Sequence, residues 1–216
     1  MQESEFSCIK CGKLTCDTQN FPYPKECVTE KLGKDAVDDV IKTYLEDEEN
    51  TKILKAAAEI EGNYYCKATR VEETVMFLKK IGAKKVGIAS CVGMIKEAKT
   101  FSKILEVNKI ETVGVVCKVG NRDKTVLNIK EEDKVHPGNY EPFCNPIMQA
   151  EFLNNENVDF VVLMGLCVGH DTLFFKYCKV PVTVLFTKDR VTGNCAAQPL
   201  YLTEGYYKKL MKPYEL

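Results

Sequence analysis

Between residues 71 and 186 two hydrophobic rhythms alternate along the chain. Four short runs are apolar at almost every position: 85–90 (KVGIAS), 112–117 (TVGVVC), 159–165 (DFVVLMG) and 182–186 (VTVLF). Such runs read as strands buried on both faces. The segments between them carry apolar residues at helical spacing. Val71–Ile81 predicts a helix stopped by Gly82. Ile95–Val107 predicts another, with Ile95, Ala98, Ile104 and Leu105 on its buried face. Ile147–Asn155 and Asp171–Cys178 predict two more, and Glu204–Met211 a closing helix. Upstream, Val37, Val40, Ile41, Tyr44 and Leu45 keep one stripe, and Ile53, Leu54, Ala57, Ala58 and Ile60 keep a second. They predict a helical pair from about Asp35 to Glu61, ended at Gly62-Asn63. Residues 8–27 predict a loop, because Pro22 and Pro24 break any helix there.

Strands apolar on both sides, separated by helices, predict a parallel sheet covered on both faces. The expected fold is α/β: a three-layer, Rossmann-like or flavodoxin-like sheet with an N-terminal four-cysteine loop and a helical pair. The expected division is a metal-binding loop at 1–33 packed on a main domain at 34–216, with the helical pair at 34–62. No repeat of fixed period and no low-complexity tract interrupts it.

Charge narrows the function. Lys and Arg together number 30, Asp and Glu 31, and the net charge is −1. The lysines are interleaved with acids, so no basic stripe predicts nucleic-acid binding. No run approaches the ~18 apolar residues of a membrane helix. The start, MQESEFSCIK, lacks an apolar signal core. The expectation is a cytoplasmic protein without a nucleic-acid or membrane partner.

Eleven cysteines then become the leading chemical fact. A reducing cytosol disfavours disulfides, and an odd number cannot all pair. Metal ligation, iron–sulfur clusters, reactive thiols or burial are the remaining uses. The Lys- and Cys-rich composition hints at an anaerobe.

Cys8, Cys11, Cys16 and Cys27 form the pattern C-x2-C-x4-C-x10-C, with no further cysteine before Cys66. A two-residue gap lets both knuckle thiolates reach one ion, and Gly12 relaxes the turn behind them. A segment this poor in apolar residues gains its order from a metal where a core cannot form. The spacing matches neither common ferredoxin run. Zinc and a 4Fe-4S cluster both stay open.

Four other cysteines take related places. Cys91 follows the first strand, Cys117 ends the second, and Cys167 lies two residues beyond the third. Cys144 lies in the loop 136–146 (HPGNYEPFCNP), just before a helix. In a parallel sheet all strand carboxyl ends share one edge, where ligands bind. Cys91-Val-Gly93 and Cys167-Val-Gly169 repeat one form, strand, cysteine, valine, glycine, helix, which suits an anion or a lowered thiol pKa. These four predict a second metal or cluster site. His170 is a candidate to move protons, and Lys188, in Lys188-Asp-Arg190, to bind an acidic ligand or move protons; that tripeptide could equally form a surface ion-pair cluster. His136 and His170 are the only histidines, and both fall in these loops. Cys66, Cys178 and Cys195 read as core or incidental residues. No nucleotide-binding or serine-nucleophile motif is present.

The N-terminal cysteine pattern, the segment 136–154 (HPGNYEPFCNPIMQAEFLN) and the segment 165–193 (GLCVGHDTLFFKYCKVPVTVLFTKDRVTG) resemble domain of unknown function 1847, a bacterial and archaeal family described as predicted metal-binding protein. The resemblance extends over nearly the whole chain. It implies that Cys91, Cys117, Cys144, Cys167, His170 and Asp171 lie in the family's characteristic motifs, and it names no reaction. Cys195 has no role in that pattern. Three functions stay open: a zinc or iron–sulfur enzyme or electron-transfer protein, a non-catalytic metal-binding protein serving a redox partner, and a thiol-based redox protein without metal at the sheet edge.

Overall fold

The computed structural model describes residues 6–18 and 21–214, which divide into two units, Met1–Asn63 and Tyr64–Leu216. In the first unit a 3-10 turn spans Cys8–Lys10 and a single helical turn, α1, spans Thr15–Thr18. Helix α2, Val28–Glu46, starts ahead of the expected Asp35. Gly33, at φ 75° and ψ 164°, breaks it into two pieces. The apolar stripe belongs only to the second piece, which is why periodicity places the start just beyond the kink. Asp47 ends α2, and its side chain accepts Asn50 N–H at 2.9 Å to cap helix α3, Glu48–Tyr64. Helix α3 runs through Gly62-Asn63, because a glycine weakens a helix without ending it.

The second unit follows the predicted alternation. Its elements are α4 (Arg70–Lys80), β1 (Lys85–Ser90), α5 (Ile95–Val107), β2 (Glu111–Val116), α6 (Pro146–Asn155), β3 (Phe160–Met164), α7 (His170–Tyr177) and β4 (Val182–Phe186). Helix α4 opens on a capping box: Thr69 Oγ1 accepts Glu72 N–H, and Glu72 Oε2 accepts Thr69 N–H at 2.7 Å. All four strands are parallel, in the order β2-β1-β3-β4.

Strand pleating sorts the core onto two faces. Val86, Ile88, Phe160, Val162 and Met164 point to one face, against Val75 and Leu78 of α4 and Ala98, Phe101 and Leu105 of α5. Ala89, Val115, Val161 and Leu163 point to the other, against Ala150 and Leu153 of α6 and Phe174 of α7. Arg70 secures the edge strand by donating to Val184 O at 2.7 and 2.9 Å. Asp159 Oδ2 accepts the N–H groups of Lys84 and Lys85 at 2.7 and 2.9 Å, fixing the start of β1 beside that of β3.

The order reverses between β1 and β3: the chain moves one way from β1 to β2 and the other from β3 to β4. That reversal opens a crevice at the strand carboxyl ends.

The expected α-helix at Glu204–Met211 is instead a series of 3-10 turns, including Gln198–Leu202 and Lys208–Met211. Pro199 and Gly205 interrupt the segment, and Tyr206 and Met211 stay exposed, so no buried face holds a longer helix. Among the described residues no helix is long and apolar enough to cross a membrane.

Candidate functional site

Backbone bonds running past the strands build the carboxyl edge. Cys91 N–H donates to Met164 O at 3.1 Å, and Cys117 N–H to Ser90 O at 2.9 Å. Gly165 N–H donates to Phe186 O at 2.8 Å and Lys188 N–H to Leu166 O at 3.2 Å, so β3 and β4 stay joined as far as Cys167 and Lys188. Gly165 is required at this point. Its φ is 63°, and a Cβ would lie 2.8 Å from Met94 Cγ and 2.9 Å from the Phe186 ring.

Cys144 arrives on a long excursion, residues 118–145, folded on a polar centre. The buried Lys134 donates to Glu131 Oε1 at 2.6 Å, to Asp123 Oδ2 at 3.2 Å and to Asn139 O at 3.1 Å. Asp123 also accepts Thr125 N–H and Glu141 N–H, and these bonds, with Lys134, hold its carboxyl far below the usual range. Lys124 pairs with Glu141 at 2.6 Å. The two limbs meet where Phe143 N–H donates to Arg122 O at 2.9 Å and Asn145 N–H donates to Cys117 O at 2.7 Å. Asn145 then caps α6 by accepting Met148 N–H at 3.1 Å, and Pro146 occupies its first turn.

The result brings three sulfurs from distant segments into contact. The Cys117 side chain hydrogen-bonds to both Cys91 and Cys144, and its sulfur also accepts Val92 N–H at 3.4 Å. Cys91 and Cys117 are buried, and Cys144 is partly exposed. The hydrogen bond from Cys117 lowers the Cys91 thiol to about 5, helped by Gly93 N–H and Lys188 and opposed by burial. Cys144 is likewise lowered to about 5, first by Cys117, then by Lys118 and His170, again against burial. Cys117 is pushed steeply up by the same two bonds and by its own burial. One S–H proton serves one acceptor at a time, so the trio holds one well-stabilised thiolate rather than two.

Cys167 is bound differently. Arg190 Nη2 donates to its sulfur at 3.1 Å, and this contact raises the guanidinium pKa further. Lys188 Nζ lies 3.4 Å from the point where a Cβ on Gly93 would stand, directly over the turn that carries Cys91. His170 begins α7 and acts electrostatically on Cys144. Asp171 accepts Thr172 N–H at 2.8 Å. His136 is exposed, and its backbone N–H donates to Glu141 at 3.1 Å. Cys66 and Cys195 are exposed, while Cys178 is partly buried, with its sulfur 3.5 Å from Val180 O and its pKa raised by burial.

The N-terminal cysteines lie on separate pieces of backbone. Cys8 opens the 3-10 turn that Cys11 N–H closes onto Cys8 O at 3.2 Å. Cys16 lies in α1, and Cys27 precedes α2 with its N–H on Pro24 O at 2.9 Å. None of the eleven cysteines is in a disulfide. Among the described residues, no three His, Cys, Asp or Glu side chains are disposed to hold a metal ion as they stand.

Two participants escape a reading of the sequence. Lys118 touches Cys144 and donates to Pro142 O. Gln149 of α6 is fully buried and donates to Ser90 O at 3.1 Å and Val115 O at 2.9 Å, clamping the ends of β1 and β2. Its Oε1 is buried without a partner. The signal for Gln149 was its place on the same helical face as Pro146 and Leu153.

Fold and site together define a cysteine-rich α/β protein with a thiol cluster at the switch point of a parallel sheet. Residues 27–185 match the family described as protein of unknown function, DUF1847. An uncharacterized protein of Methanocaldococcus jannaschii is 41% identical over 208 residues, covering 95% of this chain and 98% of that protein. The chain belongs to this family. The matched segment contains Cys91, Cys117, Cys144 and Cys167.

Proposed function

We propose that this is a cytoplasmic metal-binding protein whose sheet-edge cysteines, Cys91, Cys117, Cys144 and Cys167, take a thiophilic ion or an iron–sulfur cluster. In the same reading the Rossmann-like edge presents the site, and Cys8, Cys11, Cys16 and Cys27 hold a second, structural zinc or 4Fe-4S cluster. The observation that carries it is the contact of Cys117 with both Cys91 and Cys144. Zinc–sulfur bonds of about 2.3 Å place tetrahedral ligand sulfurs about 3.8 Å apart. Hydrogen-bonded thiols stand at a similar separation, whereas a cluster spreads its ligands over several irons. The chemistry of the donors also fits. Thiolates are the required ligand form, and Lys118, Lys188 and Arg190 offset the negative charge of a four-thiolate complex. Closing the trio around one ion calls for side-chain adjustment, since among the described residues no three donors are disposed to hold an ion as they stand.

When bound, such a group would supply Lewis-acid or electron-transfer chemistry. The chain's own part is to favour the thiolate at Cys91 or Cys144, first through the Cys117 hydrogen bond and then through Lys188 and Lys118, and to orient Cys167 through Arg190. His170 is positioned to carry a proton beside Cys144. A cluster at the edge would add a redox partner protein.

Metal, iron and sulfide analysis of anaerobically purified protein tests the reading. The wild type should carry two metal equivalents or clusters, Cys117→Ser one, and Cys11→Ser the other. Unchanged content in Cys117→Ser overturns the sheet-edge site. A second reading, thiol redox without metal, is favoured by the same contact, since Cys117 can close a disulfide with either neighbour when an external disulfide oxidant accepts the two electrons. It predicts loss of two titratable thiols on mild oxidation of metal-free protein, absent in Cys117→Ser.

A further inference from the structure

Three cations meet the cysteine cluster: Lys118, Lys188 and Arg190. Among the described residues none of them is in an ion pair with a carboxylate, whereas Lys124 and Lys134 nearby are fully paired. The acids closest in sequence are engaged elsewhere. Asp189, between Lys188 and Arg190, turns its Oδ1 to the N–H groups of Val191 and Thr192 at 2.8 and 3.0 Å. Asp171 accepts Thr172 N–H.

Arg190 gives the Cys167 sulfur one donor at 3.1 Å. A guanidinium has five donors in a planar fork, and a thiol sulfur is a weak acceptor that cannot satisfy them. Arg190 is exposed, as are Val168 and Gly169 beside Cys167, so the fork is reachable from solvent. Lys188 adds a point charge over the Cys91 turn. Both cations lie at the carboxyl edge, next to the crevice where open α/β sheets take ligands.

We infer that Lys188 and Arg190 form a receptor for a small oxyanion, the carboxylate or phosphate of a substrate, which they hold beside Cys91 and Cys167. The Arg190 fork takes two oxygens of the anion and Lys188 neutralises its charge. The receptor uses the cysteine cluster as its neighbour and does not depend on a bound metal.

Paired alkylation of reduced, metal-free protein tests it. Iodoacetate is an anion and iodoacetamide its neutral analogue, and peptide mapping resolves their rates at Cys91 and Cys167. The iodoacetate-to-iodoacetamide rate ratio should exceed that of the urea-unfolded chain by roughly tenfold or more, the scale of electrostatic recruitment into a charged cleft. Lys188→Gln and Arg190→Gln should each lower it toward the unfolded value, and Arg190→Lys should restore part of it. Protection by inorganic phosphate marks a phosphate receptor, and protection by acetate a carboxylate one. A folded-state ratio equal to the unfolded ratio, or protection by neither anion, overturns the inference. Should a variant not fold, the salt dependence of the wild-type ratio decides, since a true anion receptor loses its preference as salt rises. Metal content, measured separately, fails or survives without bearing on this ratio.

Discussion

Gln149→Glu isolates the polar clamp beneath the cysteine cluster. The exchange keeps the shape and replaces the buried Nε2 donor by an acceptor facing Ser90 O and Val115 O, at 3.1 and 2.9 Å in the wild type. A buried carboxylate pointing at two carbonyls has no counter-charge, so the folded state must carry the introduced carboxyl protonated. Its folded pKa then lies far above the unfolded value of about 4.3. A group with a raised folded pKa leaves stability intact below the unfolded pKa and drains it as pH rises toward the folded one. At about 1.36 kcal/mol per pH unit, the cost is about 1 kcal/mol at pH 5 and about 3.7 kcal/mol at pH 7. The protonated acid keeps only one of the two hydrogen bonds, adding about 1 kcal/mol at both pH values. Urea denaturation followed by circular dichroism, wild type against variant, should therefore show a deficit of about 2 kcal/mol at pH 5 and about 5 kcal/mol at pH 7. A deficit that does not grow with pH would refute the assigned amide orientation and the dryness of the clamp.

Two further outcomes follow from the same edge. Gly165→Ala combines a left-handed φ with contacts at 2.8 and 2.9 Å, so it should lower stability by about 2–5 kcal/mol in a thermal melt; a loss under about 1 kcal/mol would show that the turn can shift. In metal-free protein, alkylation by iodoacetamide should persist at Cys91 or Cys144 as pH falls from 9 toward 5, because a lowered thiol stays ionised there, and a rate falling tenfold per unit from pH 8 downward would contradict it. The same shift makes metal-free protein gain stability between pH 5 and about 8.5, the unfolded thiol value, which denaturation at both ends of that range measures.

Much of the fold was legible because burial on both strand faces leaves unbroken apolar runs, as in 160–164. The start of α2 was not, since residues 28–32 carry no stripe and Gly33 turns the chain before the stripe begins. The C-terminal segment has helical spacing but no surface to bury it against, so spacing alone misled. For the candidate site, strand ends mark where Cys91, Cys117 and Cys167 must lie. The excursion that returns Cys144 is opaque, because Lys134, Asp123 and Glu131 look like any solvated mixed-charge stretch until Lys134 is seen to be buried. Lys188-Asp-Arg190 reads equally as a self-neutralising cluster; only the turn that draws the Asp189 carboxylate onto backbone amides frees its neighbours.

The two cysteine groups differ in how far apart their members lie along the chain. Cys8, Cys11, Cys16 and Cys27 fall within one short stretch, so gathering them closes small loops and costs little chain entropy. Cys91, Cys117 and Cys144 come from three separate junctions and meet only when β1, β2 and the long excursion are all in place, and Cys167 reaches the same edge only at the end of β3. If the N-terminal group takes an ion as proposed, it can do so while the rest of the chain is still emerging from the ribosome. The sheet-edge trio exists only in the finished fold, so under the same proposal its ion would arrive last and reinforce the whole sheet.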